Sequence, residues 1–195
     1  MRVESTVIPD VKLVVPTKFE DHRGFFVETW NAKSWAENGV ADQFVQDNHS
    51  LSRQQGTVRG LHFQSPPFAQ AKLIRVVRGS ILDVAVDIRR GSPTSRRHVA
   101  VRLSAGDPAQ LLVPVGFAHG FCTLEPDTEV VYKVTGFYSR ANDHGILWND
   151  PALGIEWPVA AADALLSDKD RAAPRLADIP IYFDYATGAP LETIR

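Results

Sequence analysis

The chain has 195 residues, a net charge of −2 and one cysteine, Cys122. That length suits a single domain over residues 1–195 with a buried core, and one thiol allows neither an intrachain disulfide nor a cysteine-based zinc site. No apolar run approaches the roughly 20 residues of a membrane span, and the N-terminus lacks the apolar core of a signal peptide, so we expect a cytoplasmic protein with no membrane partner. The near-neutral charge argues against a nucleic-acid partner.

Short β-like runs follow one another between turn signals along most of the chain. A helix is predicted first, over Asn31–Asn38, because Asn31 suits an N-cap and Gly39 a stop. A second helix is predicted near the other end, over Val159–Leu166. The predicted strands between them are Asp42–Ser50, Gly56–Gln64, Lys72–Arg78, Ser80–Ile88, His98–Leu103, Gln110–Val113 and Thr128–Thr135. Many short strands at this spacing are typical of an all-β sandwich or barrel, and a jelly roll is a common form.

Polar side chains stand in some of these strands where a solid core would require apolar ones. Strict alternation along Gly56–Gln64 places residues 58, 60, 62 and 64 on one face, with His62 beside Gln64. In Thr128–Thr135, Tyr132 shares its face with two valines. Polar groups that point into a jelly roll indicate a ligand site.

The spacing of glycines and histidines resembles that of the cupins, a family of jelly rolls. Five residues separate Gly56 from His62, six separate Lys72 from Gly79, and Pro114–His119 follows the pattern Pro-x-Gly-x-x-His. Two metal-ligand positions of the cupins are changed, because Gln64 stands for a histidine and Lys72 for a glutamate. An ammonium group beside a divalent ion would repel it. We therefore expect a metal-free cupin.

Eight motifs resemble those of the dTDP-4-dehydrorhamnose 3,5-epimerase family, in the same order, from near the N-terminus to about Asp170. They lie at residues 21–28, 44–50, 59–64, 83–88, 116–121, 132–133, 147–151 and 166–170. The C-terminal tail, about residues 176–195, has no match to this pattern.

The resemblance implies a cofactor-independent enzyme that inverts C3 and C5 of dTDP-4-dehydro-6-deoxy-D-glucose, giving dTDP-4-dehydro-L-rhamnose for dTDP-L-rhamnose synthesis. Each inversion removes a proton next to the C4 ketone and returns one from the opposite face. The implied base is His62, held by Asp170, and Lys72 is implied to stabilise the enolate oxygen. Tyr132 is the implied acid.

The resemblance also implies substrate-binding residues and a partner. Arg23 and Arg59 are expected to bind the diphosphate. His119 is expected to lie in the pocket, with Asp83 behind it. The expected substrate contacts are Arg23, Arg59, Phe19, Phe26, Glu28, Gln46, Asn48, Gln64, His119 and Tyr138. Residues of about 1–30 are implied to reach into a second copy, which makes a homodimer with shared sites. Phe137 replaces a tyrosine common in the family, so nucleotide or sugar preference stays open.

Three alternatives remain at this point. An epimerase that acts on only one carbon would use the same scaffold, and exchange of solvent deuterium at one position would identify it. A metal-dependent cupin enzyme would contain a stoichiometric ion. A non-catalytic jelly roll would bind a sugar nucleotide without exchanging any proton.

Overall fold

The computed structural model describes residues 1–185, which form thirteen strands and two short α-helices. The strands are β1 (Arg2–Ser5), β2 (Lys12–Val15), β3 (Lys18–Asp21), β4 (Gly24–Val27), β5 (Gln46–Ser52), β6 (Val58–Gln64), β7 (Lys72–Arg78), β8 (Ser80–Asp87), β9 (His98–Ser104), β10 (Gln110–Val113), β11 (Phe117–Thr123), β12 (Thr128–Val134) and β13 (Asp143–Gly145). The helices are α1 (Ala32–Glu37) and α2 (Asp168–Arg171). No helix within residues 1–185 has the length and apolar character to cross a bilayer.

The strands form two antiparallel sheets that face each other, which confirms the predicted all-β jelly roll. The first sheet has the order β1-β2-β10-β7-β12-β5, and the second has the order β13-β6-β11-β8-β9. Strands β3 and β4 pair only with each other, as a separate hairpin. Each of the seven predicted strands overlaps an observed one, and α1 begins after the Asn31 cap as predicted.

The main core lies between the two sheets. Ile74 and Leu111 of the first sheet meet Ala85 and Phe121 of the second, and all four are buried. The alternation of β8 explains this, because its odd-numbered residues face the first sheet and its even-numbered residues face away. Asp83 is thereby carried into the interior.

A further layer covers the outer surface of each sheet. On the first sheet, Trp35 of α1 packs with Val14 and Leu73. On the second, the chain after β13 returns across the back of β6, where Ile146 and Phe183 pack on the same strand. Part of the unmatched tail, residues 176–185, therefore completes this outer core, and residues 186–195 lie outside the described residues.

Two features of the chain differ from the sequence predictions. The predicted helix Val159–Leu166 is wrong, because Leu165 exchanges backbone hydrogen bonds with Gly56 and Val58 in an extended conformation. The first four strands, β11 and β13 were not predicted. A glycine and the polar His119 interrupt the apolar pattern of β11, although all of its residues are buried.

Candidate active site

A cavity of about 560 Å³ opens between the two sheets, beyond the apolar core. β5, β7 and β12 of the first sheet form one wall, and β6 and β11 of the second form the opposite wall. The chain just before and within α2 closes one side. The lining residues are Ser50, Thr57, Val58, Arg59, His62, Lys72, His119, Phe121, Tyr132, Leu165, Leu166, Ser167, Lys169, Asp170 and Arg171.

A β-bulge places Arg59 and His62 on the same face of β6. His62 pairs with His119 of β11, whereas Arg59 pairs with Phe121, so two residues of β6 stand opposite Gly120 alone. The prediction that residues 58, 60, 62 and 64 share a face is therefore wrong. Such a bulge re-aims side chains at active sites, and here it directs a guanidinium and an imidazole into one cavity.

The bulge depends on close approach of the two backbones at glycine. A Cβ atom on Gly60 would lie 2.5 Å from the Cα of Gly120, and the φ of Gly60 is +123°. A Cβ atom on Gly120 would lie 2.8 Å from the carbonyl oxygen of Arg59. Only glycine adopts such a conformation with so little space, so both glycines are required for this geometry.

His62 forms a short hydrogen bond with a carboxylate 108 residues further along the chain. Its Nε2 lies 2.5 Å from Oδ1 of Asp170, whose side chain is only 5% exposed. Burial alone would raise the pKa of Asp170, but hydrogen bonds and charge from His62, with a further bond from the backbone N–H of Gly60, hold it below its usual value. Asp170 is therefore an anion that fixes the imidazole, whose other nitrogen, Nδ1, is left for chemistry.

Lys72 and Tyr132 project from the wall opposite His62. The ammonium of Lys72 donates to the backbone carbonyl of His62 over 3.4 Å. Burial lowers the pKa of Lys72 to about 8, and the charges of Asp143 and Asp83 oppose that shift. Burial raises the pKa of Tyr132, with Arg59 acting in the opposite direction, so the phenol is neutral and can donate a proton.

His119 forms a second histidine–carboxylate pair deeper in the molecule. Its Nε2 lies 2.6 Å from Oδ1 of Asp83, and both side chains are buried. Oδ2 of Asp83 has no hydrogen-bond partner within residues 1–185. Asp83 thus lies behind His119, as the resemblance implied, and its negative charge favours the ammonium form of Lys72.

Arg59 is held at the cavity wall by the neighbouring strand. Its Nε donates to the hydroxyl of Ser52 over 3.1 Å, and its Nη2 donates to the carbonyl of Leu51 over 3.2 Å. The rest of the guanidinium remains able to bind an anion, for which its planar fork is suited.

The expected residues of the N-terminal segment lie apart from this cavity. Phe19 and Phe26 stand on the β3–β4 hairpin with 63% and 69% of their surface exposed. Arg23, at its tip, forms a salt bridge of 2.6 Å with Asp21. Glu28 follows the hairpin and is exposed. The isolated chain does not bring these four residues to His62.

The remaining expected residues lie beside the cavity without lining it. Gln46 and Asn48 continue the inner face of β5 and bond to each other, while the Tyr138 hydroxyl donates to Asp143 over 3.2 Å. Gln64 is buried, and its amide is fully used by the carbonyls of Phe68 and Phe137 and the N–H of Ser139. Gln64 therefore joins two loops, and both hydrogens of its amide are engaged in doing so.

Sequence reasoning missed several residues of the cavity. Lys169 and Arg171 flank Asp170 and bring two cations to the cavity wall, and Lys169 forms an ion pair with Asp143. Leu165 and Leu166 contribute an apolar surface. The available signal was the motif at residues 166–170, which contains Leu166 and Lys169 and is flanked by Leu165 and Arg171.

The potential metal ligands within residues 1–185 do not form a cluster. No group of three or more histidine, cysteine or acidic side chains lies close enough to hold an ion. The two histidines of the cavity are each bound to a carboxylate, and Lys72 lies with them.

The chain is similar to a set of known sugar-nucleotide enzymes. The sequence profile of the family described as dTDP-4-dehydrorhamnose 3,5-epimerase matches residues 5–178. An enzyme of that name from Sinorhizobium fredii is 53% identical over 186 residues, which cover 95% of this chain and 94% of the relative.

Two solved structures are also similar. A dTDP-4-dehydrorhamnose 3,5-epimerase from Bacillus anthracis with TDP and PPi bound is 53% identical, covers 89% of this chain and 98% of its own, and has a TM-score of 0.86. An epimerase from Legionella pneumophila in complex with dTDP-4-keto-L-rhamnose is 43% identical, covers 92% and 94%, and has a TM-score of 0.87.

Proposed function

The chain belongs to the dTDP-4-dehydrorhamnose 3,5-epimerase family, and on that premise we propose that it converts dTDP-4-dehydro-6-deoxy-D-glucose to dTDP-4-dehydro-L-rhamnose without a cofactor. One observation carries the proposal: a base and an acid project into one cavity from opposing sheets. His62 stands on β6, and Tyr132 stands on β12 across the cavity. A hexose ring between them has one residue on each face, as an inversion requires.

The first step of each inversion is removal of a proton next to the C4 ketone. His62 takes that proton through Nδ1, while Asp170 stabilises the resulting imidazolium at Nε2. The negative charge that develops on the ketone oxygen is stabilised by the ammonium of Lys72, which lies in the same cavity. Because this charge is absent in the ground state, the interaction lowers the barrier.

The second step returns a proton to the opposite face of the ring. Tyr132 supplies it from the other wall, since its raised pKa keeps the phenol protonated at neutral pH. Arg59 binds the diphosphate through its free N–H groups. The same base and acid serve C3 and C5 when the ring changes its position between the two exchanges, after His62 has lost its proton to solvent and Tyr132 has regained one from it.

We propose that the nucleotide site is completed by a second copy of the chain, in a homodimer in the cytoplasm. The hairpin carries three exposed phenylalanines, Phe19, Phe25 and Phe26, which have no core of their own to cover them. Near its base, Arg75 is half-buried on the outer face of the first sheet, and no hydrogen bond or ion pair joins it to a residue within 1–185. An interface would cover these groups.

Complementation between two inactive variants tests the shared site. Arg23→Ala removes a hairpin cation, and His62→Asn removes the base. If each hairpin serves the partner's barrel, a mixed dimer contains one site with both residues native. Equal mixing after dissociation then restores about a quarter of the wild-type sites. No recovery, with dimers demonstrated by sedimentation, would show that each hairpin serves its own barrel.

Incorporation of solvent deuterium tests the reaction itself. We expect NMR to show deuterium at both C3 and C5 of dTDP-4-dehydro-6-deoxy-D-glucose, with a coupled reductase that draws off the product. Exchange at one carbon alone would identify a mono-epimerase. Binding without exchange would leave a sugar-nucleotide-binding protein, and a stoichiometric metal ion in the purified protein would indicate a metal-dependent cupin.

A further inference from the structure

Gln64 connects two loops that lie beside the cavity. It is the last residue of β6, and only 4% of its surface is exposed. Its Nε2 donates to the backbone carbonyls of Phe68 over 2.7 Å and of Phe137 over 3.1 Å, and its Oε1 accepts from the backbone N–H of Ser139 over 2.6 Å. All three bonds go to loop backbone, so loss of the amide would leave three backbone groups without their partner.

The two loops connect strands that carry the residues of the cavity. The first loop, residues 65–71, joins β6 to β7, and the second loop, residues 135–142, joins β12 to β13. At their bases the loops are bonded directly, because the N–H of Ala71 donates to the hydroxyl of Thr135 over 2.9 Å and the N–H of Thr135 donates to the carbonyl of Ala71 over 3.2 Å. Farther from the strands, Gln64 is the group that holds both loops at once.

The second loop carries Tyr138, which lies between the two residues of this loop that Gln64 holds. The side chain of Tyr138 reaches towards the cavity, because its hydroxyl donates to Asp143 over 3.2 Å and Asp143 pairs with Lys169 of the cavity wall. Its backbone N–H donates to Oε1 of Gln46 over 3.3 Å. Tyr138 is nevertheless 60% exposed. An aromatic ring is thus presented beside the cavity by a loop whose position depends on a buried amide.

A substrate of the proposed kind places a flat pyrimidine base at the end remote from the sugar. With the sugar between His62 and Tyr132 and the diphosphate on Arg59, the base lies outside the cavity and meets the groups beside it. An exposed aromatic ring offers a face on which such a base stacks. The contact is strongest when the ring is already fixed, because the ordering of a mobile loop costs free energy at the moment of binding.

We propose that Gln64 is a positioning residue for nucleotide recognition, which fixes residues 137–139 so that the ring of Tyr138 is in place before the base arrives. This inference deepens the proposed function and rests on it. Gln64 acts through the loop, since it is buried and both hydrogens of its amide are engaged. Its effect falls on binding rather than on proton transfer, because His62 is held separately by Asp170.

The first test separates binding from catalysis in Gln64→Leu, which keeps most of the side-chain volume and removes all three hydrogen bonds. We expect KM for dTDP-4-dehydro-6-deoxy-D-glucose and Kd for dTDP to rise about tenfold, which is in the range of one stacked base, while kcat stays within about twofold. Gln64→Glu keeps the acceptor for Ser139 and loses donors, so its effect should be intermediate. Unchanged KM and Kd, or a loss confined to kcat, would overturn the proposal.

Amide hydrogen exchange, followed by NMR in the resting protein, tests the loop itself. In Gln64→Leu the backbone N–H groups of Tyr138 and Ser139 should exchange about tenfold faster or more, because both belong to the segment that loses its anchor. Unchanged exchange would contradict the anchoring, and faster exchange with unchanged dTDP affinity would contradict the role in recognition. A wild type that binds dTDP but incorporates no deuterium at C3 or C5 would refute the proposed reaction alone, whereas one that binds no dTDP would refute both.

A double substitution asks whether Gln64 acts through Tyr138. Once Tyr138→Ala has removed the ring, Gln64→Leu should weaken dTDP binding no further, and independent effects of the two substitutions would contradict the proposal. Thr128→Val is the matched control, because the hydroxyl of Thr128 is buried at the opposite end of β12 and donates to the carbonyl of Glu125 over 2.8 Å. It should lower the melting temperature without changing KM or Kd. An equal rise of Kd in Thr128→Val and Gln64→Leu would show a general loss of stability and overturn the positioning role.

Discussion

In the cavity, His62 and Arg59 are held by hydrogen bonds to their own chain, and Lys72 and Tyr132 are packed between the sheets. On the β3–β4 hairpin, the phenylalanines are mostly exposed, and within residues 1–185 the side chain of Arg23 bonds only to Asp21, two residues away. The cavity residues are thus pre-organised within one chain, whereas the aromatic side chains of the hairpin are left exposed by it. Substitutions in the two regions can therefore be compared directly.

The largest effect on the reaction rate is expected from a substitution in the cavity. His62→Asn removes the base while keeping the size of the side chain, so deuterium exchange at C3 and C5 should fall on the order of a thousandfold or more. His49→Asn is the matched control, since His49 is exposed on the outer side of β5 and its imidazole bonds to Glu129. Comparable loss in both variants would contradict the assignment of His62.

Glycine substitutions compare how tightly the backbone is packed at the cavity and in the β3–β4 hairpin. In Gly60→Ala, the added Cβ would lie 2.5 Å from the Cα of Gly120, and the backbone would have to keep a positive φ. We therefore expect a loss of more than about 3 kcal/mol in the free energy of unfolding. Gly24, in the hairpin, also has a positive φ (+130°) but nothing within 4 Å of an added Cβ. Gly24→Ala should cost about 1 kcal/mol. Urea unfolding measures both, and equal costs would contradict the close approach of β6 and β11.

The hairpin phenylalanines should control association and leave the protomer intact. Phe26→Ala should raise the dimer dissociation constant by roughly tenfold, as loss of an aromatic contact does, with an unchanged far-UV spectrum. Ile181→Ala is the control, since Ile181 is 52% exposed but lies in the C-terminal layer. Sedimentation equilibrium decides the matter: a monomeric wild type, or equal effects of both substitutions, would show that the hairpin does not form the interface.

Raising the pH is expected to have a smaller effect on the reaction rate. Lys72 must be protonated to stabilise the enolate, and its pKa of about 8 lies below the usual value because of burial. Deuterium exchange should therefore decline above pH 8, reaching about a tenfold loss one unit higher. The far-UV spectrum over the same range serves as the control. A flat rate up to pH 10 would show that the charge of Lys72 is not needed.

Seven of the thirteen strands could be predicted because alternation and turn residues are local signals, as in β8, where both faces follow the pattern. The bulge in β6 could not be predicted, since it depends on Gly60 meeting Gly120 from another strand. The failure at Val159–Leu166 has a similar cause: backbone pairing with Gly56 and Val58 overrides a weak helical pattern.

The site was predicted in its main parts only with the help of the family resemblance. His62, Lys72, Tyr132, Asp170 and Arg59 line one cavity. From the residues alone, Asp170 was an acidic residue in a charged run, and nothing local linked it to a histidine 108 positions earlier. The structural role of Gln64 was also hidden, because its partners Phe68, Phe137 and Ser139 come from two loops.

The 108-residue separation of His62 and Asp170 has a consequence for how the protein is made. On a ribosome, β6 emerges long before α2, and the back of β6 is completed only when Phe183 packs on it. Contacts so distant in sequence form late, since loop closure must precede them. A nascent or truncated chain that stops before α2 therefore has His62 without the carboxylate that orients it.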